Sequence, residues 1–226
     1  EVTTMLRDAR IIASKDLRVE LRSRVLLNQV VPFAVLVLVL FAFALDPDRG
    51  VLRRATPGLY WITVLFSALL ALSRSASVDA ADGLRDAIRL SGLEPAGIFL
   101  GKVLSIAVQL LVLEVVLGAG VALLYDASLA TWWLLVPTCL VATIAIAAAG
   151  TLYGVVASGL RVRETLLPLL LLPVLAPILI GTTRATEAAL DGIPSDGWPW
   201  IGSMSAFTVL YLVAGIVGYG PLMEDA

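Results

Sequence analysis

Glu114 is the residue of this sequence best placed to do chemistry. It stands in LLVLEVVL, flanked on both sides by apolar residues. A carboxylate at that depth in a membrane-length apolar run costs several kcal/mol unless it is paired, protonated or facing a wet cavity, which makes it a candidate functional group. A protonated Glu bonding across a helix interface is the plainer alternative, and both readings stand. Gln109, in the same run, has a weaker claim of the same kind. The usual catalytic apparatus is missing around them. The chain has no histidine, which removes the commonest general base and metal ligand together with the Ser-His and HExxH constellations. Ser203 and Ser205 of the G-S-M-S stretch therefore have no base to activate them. Cys139 is the single cysteine and lies inside an apolar run, so it forms no intramolecular disulfide and reads as a small core residue. GIFLGK, Gly97 to Lys102, has three residues between its glycines where a Walker A loop has four, and Val103 follows the lysine where Ser or Thr is required. The GxxxG spacing suits close helix packing instead, with Lys102 snorkelling to the interface. These observations point to a chain that is no enzyme and that binds no cofactor or metal directly.

The elements that must hold these residues are membrane spans. Of the 226 residues 59% are hydrophobic and 15% charged, with a mean hydropathy of +0.96, well beyond an ordinary soluble domain. Apolar runs near the length of a span, roughly 30 Å of hydrocarbon, recur along the chain. They predict an all-α polytopic membrane protein with about six transmembrane helices, at residues 26–45, 58–72, 98–124, 132–157, 166–181 and 200–220. The second and fifth are short, which leaves open tilted or partly re-entrant helices.

Charge placement gives the orientation. Twelve of the basic residues fall before the first span, around the second loop and in the fourth loop, against four in the remaining loops. The positive-inside rule then puts both termini in the cytoplasm. Tyr125, Trp132, Trp133, Trp198 and Trp200 cluster near the outer boundary, where amphipathic rings prefer the headgroup region.

Five further features carry expectations. Residues 1–25 are rich in helix formers, with Arg7, Lys15, Arg18 and Arg22 along one side, and predict an amphipathic helix at the cytoplasmic interface. Asp16, Glu20 and Arg10 intrude on its apolar side. The loop 73–97 contains a short helical pattern with Leu84, Arg85, Ile88 and Arg89, apolar anchors flanked by charge, and predicts docking of a cytoplasmic partner. Cys139, Thr143, Ala147, Gly150 and Gly154 form a stripe of small residues for close helix approach, within the chain or between two copies. Pro168, Pro173 and Pro177 predict either a kinked or a broken fifth span. The periplasmic segment 182–199 places Arg184, Glu187 and Asp191 on one helical face, as a solvated surface or a contact surface.

KDLRVELRSR (Lys15 to Arg24), LSRSASVDAADGLRDAIRLSG followed by GIFLGKVL, the Glu of LLVLEVVL, and PVLAPILIGTTRATEAAL (Pro173 to Leu190) occur in an order that resembles the haem exporter protein B family, CcmB. The resemblance covers nearly the whole chain. It implies an ABC-2-like permease, the membrane subunit of a cytochrome c maturation complex in the bacterial inner membrane. The implied partners are an ATP-binding cassette subunit (CcmA), a haem-handling membrane subunit (CcmC), a small membrane subunit (CcmD), a haem chaperone, the lipid bilayer and a possible second copy of the chain. ATP is then expected on the partner subunit, and haem on a partner or the chaperone. A chain without histidine offers haem iron few axial ligands. The implied work is coupling of ATP hydrolysis to release of the haem-loaded periplasmic chaperone or to haem export. The alternative is an ABC-2-type exporter permease for a lipid or drug-like substrate. A secondary transporter is less well supported, because no internal repeat relates the two halves.

Overall fold

The computed structural model describes residues 2–24, 26–45, 49–80, 92–125, 131–157 and 163–225. Among these every regular element is helical: α1 (Val2–Ser23), a π-helical turn (Leu26–Val30), α2 (Val31–Ala44), α3 (Arg49–Ala80), α4 (Pro95–Leu124), α5 (Trp132–Val156), α6 (Arg163–Leu190) and α7 (Pro194–Asp225). Helices are the natural outcome for apolar segments, since each satisfies its own backbone polar groups without water. Among the described residues five stretches are long and apolar enough to cross a bilayer: Gly50–Ser73, Pro95–Leu124, Trp132–Val156, Pro168–Leu190 and Pro194–Met223. A sixth arises if α1 and α2, bent by 54° at their junction, are taken as one broken span. The protein is a multi-pass membrane protein.

The centre is built on α4 and α5. On α4 the fully buried Ile106, Leu110, Leu113 and Leu117 recur at spacings of three and four, one helical face. On α5 the buried face is rich in small side chains, Ala142, Ala145 and Ala147 through Ala149 having no exposed surface. Lipid tails are as apolar as leucine, so close van der Waals contact, rather than escape from water, holds such helices together. A Cβ on Gly150 would stand 2.3 Å from Leu72 Cδ1 of α3, and Thr143 and Ala147 are wholly buried. The stripe of small residues is thus spent, at these positions, on contacts within the chain.

Two segments extend beyond their expected ends. The short second span belongs to a 32-residue helix, α3, that runs straight through Pro57. The fifth span continues as α6 through Pro168, Pro173 and Pro177 to Leu190, past the boundary expected at Gly181. Prolines at successive turns each remove one backbone bond, yet neighbouring helices hold the chain in register. Gly181 rests on Met204 of α7, and the Tyr211 hydroxyl donates to the Val174 carbonyl at 2.6 Å.

Candidate functional site

Glu114 lies on the inner face of α4, 4% exposed. Its Oε1 accepts a hydrogen bond from Thr143 Oγ1 of α5 at 2.6 Å, at the short end of the O–H···O range. The Tyr60 hydroxyl of α3 donates to the Glu114 carbonyl oxygen at 3.1 Å. Cys139 of α5, one turn before Thr143, stands beside both the carboxyl group and the tyrosine hydroxyl. Oε2 is buried and makes no hydrogen bond among the described residues. Three helices therefore converge on one polar side chain and satisfy half of it. From the residue next to Tyr60, the Trp61 indole N–H donates to Thr186 Oγ1 of α6 at 2.8 Å, and the Tyr60 and Trp61 rings meet edge to face at 5.4 Å. These bonds fix α3 against α6 beside the carboxylate.

The carboxylate borders a cavity of about 500 Å³ between α3, α4, α5 and α6. Thr56, Tyr60, Cys139 and Thr186 supply its few other polar groups, and no Lys or Arg lines it. Val115, Trp132, Val136 and Leu140 line the cavity and are also exposed on the outside of the helices. The space accordingly opens sideways between α4 and α5, on an apolar face that a bilayer would cover. The chain has no histidine, and among the described residues no group of Cys, Asp and Glu side chains is gathered so as to hold a metal ion.

A second constellation joins α1 to the start of α4. Gly97 and Gly101 turn their bare faces to α1: a Cβ on Gly97 would lie 2.9 Å from the Met5 carbonyl oxygen, and one on Gly101 2.6 Å from that of Ala9. The GxxxG spacing is used for close packing. The two backbones approach so nearly that Asp8, Ala9, Ile12 and Ala13 are buried, while Leu6 and Leu21 stay exposed. Part of the apolar side that suggested a lipid-facing anchor is therefore spent on α4. Two acidic residues of α1, Asp8 and the Asp16 of its apolar side, also find partners. Asp8 Oδ2 accepts from the Glu94 backbone N–H at 3.1 Å, at the head of α4. Asp16 sits 2.9 Å from Lys15 Nζ and 3.8 Å from Lys102 Nζ. Lys102 is only 7% exposed, so it does not snorkel outward as expected but turns inward to Asp16. At the same end of the bundle, Gly215 of α7 lies against the Phe99 ring.

At the opposite end, Arg184 and Glu187 are one turn apart on α6 and pair at 2.8 Å. Asp191 does not join them, because α6 ends at Leu190 and the chain turns. It faces Arg53 of α3 at 3.5 Å. Both pairs are largely exposed and contribute at most about 1 kcal/mol each. Leu84, Arg85, Ile88 and Arg89 lie outside the described residues.

The partners of Glu114 were not legible as such. Thr143 stands out in the sequence only as a small residue, and Tyr60 shows no pattern at all. The available signal is that a buried carboxylate demands donors, and Thr is a natural one on an apolar helix. Asp16 on the apolar side of α1 carried a clearer signal, since a buried acid calls for a buried base and Lys102 is one of few.

A multi-pass helical bundle with a polar group at its centre, a cavity open to the side and a helix clamped on one end has the architecture of a membrane permease component. The CcmB protein family profile matches residues 7–217, and the chain belongs to that family. It is 30% identical to heme exporter protein B of Haemophilus influenzae over 186 residues, covering 82% of this chain and 84% of the relative. Heme exporter protein B of Pseudomonas aeruginosa is 31% identical, with 81% of this chain and 82% of the relative aligned. That of Bradyrhizobium diazoefficiens is also 31% identical, with 82% of each chain aligned.

Proposed function

We propose that this chain is the membrane subunit of an ABC-type complex for cytochrome c maturation, coupling ATP hydrolysis by a separate subunit to haem export or to release of a haem-loaded periplasmic chaperone. The observation that carries this reading is the match to the CcmB family over nearly the whole chain, with relatives named heme exporter protein B. In it the protein sits in the bacterial inner membrane with both termini in the cytoplasm. ATP belongs to the ATP-binding cassette partner, and haem to the haem-handling membrane subunit or the chaperone. A small membrane subunit completes the assembly. The clamp between α1 and α4 supports the same reading, because it holds the head of α4, which follows residues 81–91, against α1. A push delivered at the head of α4 would reach Glu114 along one continuous helix.

Leu84 and Ile88 are the apolar anchors of residues 81–91 and Arg85 and Arg89 their charged flanks. Replacing both anchors by Asp is expected to uncouple ATPase activity from cytochrome c assembly while the protein stays in the membrane. Normal assembly in that double variant would refute the docking of the ATPase there. On the opposite side, Arg184, Glu187 and Asp191 form the surface through which motion of α6 and α7 reaches the haem-handling subunit or the chaperone. Arg184→Glu breaks the pair with Glu187 and reverses the local charge. We expect weaker complex assembly, or chaperone held on the complex, with an unchanged amount of this chain in the membrane. Unchanged copurification together with unchanged chaperone release would leave Arg184 a solvated surface residue.

A further inference from the structure

We propose that the cavity between α3, α4, α5 and α6 seats one acyl chain of a membrane phospholipid, hung from the bilayer boundary at Trp132 and reaching inward to the level of Tyr60. The site stands on the shape and polarity of the cavity and does not rest on the coupling role proposed above. On α4 the wall runs from Leu111 to Val121, roughly 15 Å at the rise of an α-helix. On α5 it runs from Trp132 to Leu140. The two helices follow one another in the chain, so Val121 and Trp132 mark one end of the space and Leu111 and Leu140 the other. Leu190, the last residue of α6, belongs to the Trp132 end, because Thr131 Oγ1 donates to the neighbouring Ala189 carbonyl. The cavity is thus elongated along the bundle. Its length is about half of the roughly 30 Å of hydrocarbon in a bilayer, which is the reach of one lipid tail within its own leaflet.

Polarity selects the occupant. The polar groups of the wall are engaged within the protein or turned away from the space. Thr56 Oγ1 donates to the Leu52 carbonyl at 2.8 Å and the Tyr60 hydroxyl to that of Glu114 at 3.1 Å. Thr186 Oγ1 accepts from the Trp61 indole. On Glu114, Oε1 takes the hydrogen bond of Thr143, Oε2 is buried out of reach, and the Cys139 thiol stands against the same carboxyl group. Water held in a cavity needs about two to four polar partners and finds too few here. Left empty, a space of about 500 Å³ forfeits the contacts of every side chain around it. A hydrocarbon chain restores those contacts and asks for no hydrogen bond. The mouth supplies it directly, since Val115 is 73% exposed and Val136 and Leu140 lie on the same apolar face. Trp132, 64% exposed, sets the level of the headgroups, where an indole prefers to lie. Gly118 is on the wall between the two ends, and a Cβ there meets nothing within 4 Å. A leucine at that position would project into the space.

The test uses the full chain in phosphatidylcholine nanodiscs doped with a phosphatidylcholine that carries a photoactivatable diazirine on one acyl chain, either beside the ester or at the chain end. Peptide mass spectrometry locates the cross-links. Tyr60 is only 8% exposed and lines the cavity, so lipid on the outside of the bundle does not touch it. We expect the chain-end diazirine to mark Tyr60 and Leu111, and the diazirine beside the ester to mark Trp132 and Leu190. The α7 face with Val209, Val213 and Val217 meets ordinary bilayer lipid and serves as the reference. Gly118→Leu should lower the labelling of Tyr60 by about tenfold, the change that about 1.4 kcal/mol brings, and leave the α7 reference as it is. The depth order is read in the parent chain, so it decides the matter whether or not that variant folds. No label on Tyr60 from the chain-end diazirine overturns the proposal, and is the result expected if a second copy of the chain or another protein's helix fills the space. Labelling of Tyr60 equally by both lipids, or unchanged in a folded Gly118→Leu protein, overturns it as well.

Discussion

Gly101→Leu is expected to lift α1 off α4 and abolish cytochrome c assembly, with the protein still present in the membrane. A Cβ at this position would stand 2.6 Å from the Ala9 carbonyl oxygen and 2.7 Å from Ile12 Cβ. Neither atom can swing aside, because one is backbone and the other is fixed to it. Overpacking of this kind costs about 1–3 kcal/mol where side chains can yield, and here the whole of α1 has to move instead. Its movement would open the bond from the Glu94 backbone N–H to Asp8 and separate Asp16 from Lys102. A cysteine placed at Ala13, a buried position on α1, reports the change. It should resist a water-soluble maleimide in the parent and react in the Gly101→Leu background. Gly118→Ala is the control, since its Cβ enters open space. Continued protection of the cysteine at position 13 in the Gly101→Leu protein would show that α1 is not clamped in this way.

The second large effect is expected at Glu114. Glu114→Leu removes both the hydrogen bond with Thr143 and the polar group itself, and assembly of cytochrome c should fall to background. Glu114→Gln keeps an oxygen for Thr143 and removes titration. We expect it to lower assembly by about tenfold, equivalent to ~1.4 kcal/mol of lost working free energy. Thr143→Val acts differently. It leaves the carboxyl intact but strips the partner from Oε1, so both oxygens are buried without a bond, at a cost of about 1–3 kcal/mol. Its signature is lower thermal stability with activity retained below the transition. Full activity of Glu114→Gln combined with loss in Glu114→Leu would reduce the residue to a packing contact between α4 and α5.

Apolar run length made the spans legible, because a bilayer asks only for enough consecutive apolar residues. It could not give their ends. Arg49 to Pro57 lacks the hydropathy of a span yet continues α3, and Thr182 to Leu190 continues α6. Helical continuation in such stretches depends on propensity and tertiary contact, as with the Trp61 bond to Thr186, rather than on hydrophobicity. Glu114 was legible as a site because a carboxylate in an apolar run is rare and costly. Its surroundings were not, since the helix pairing that brings Thr143, Tyr60 and Cys139 to it is a property of three dimensions. The spacing of Gly97 and Gly101 announced a close contact without naming its partner. The partner proved to be α1, whose Asp16, an acid on the apolar side, makes sense only once the head of α4 lies beside it.

Purification of the chain under mild detergent, with identification of everything that accompanies it, tests the proposed function most directly. We predict stoichiometric recovery of an ATP-binding subunit and a haem-binding membrane subunit, with ATPase activity that depends on this chain. Recovery of the chain alone, moving a substrate across liposomes without nucleotide or any other subunit, would contradict the proposal.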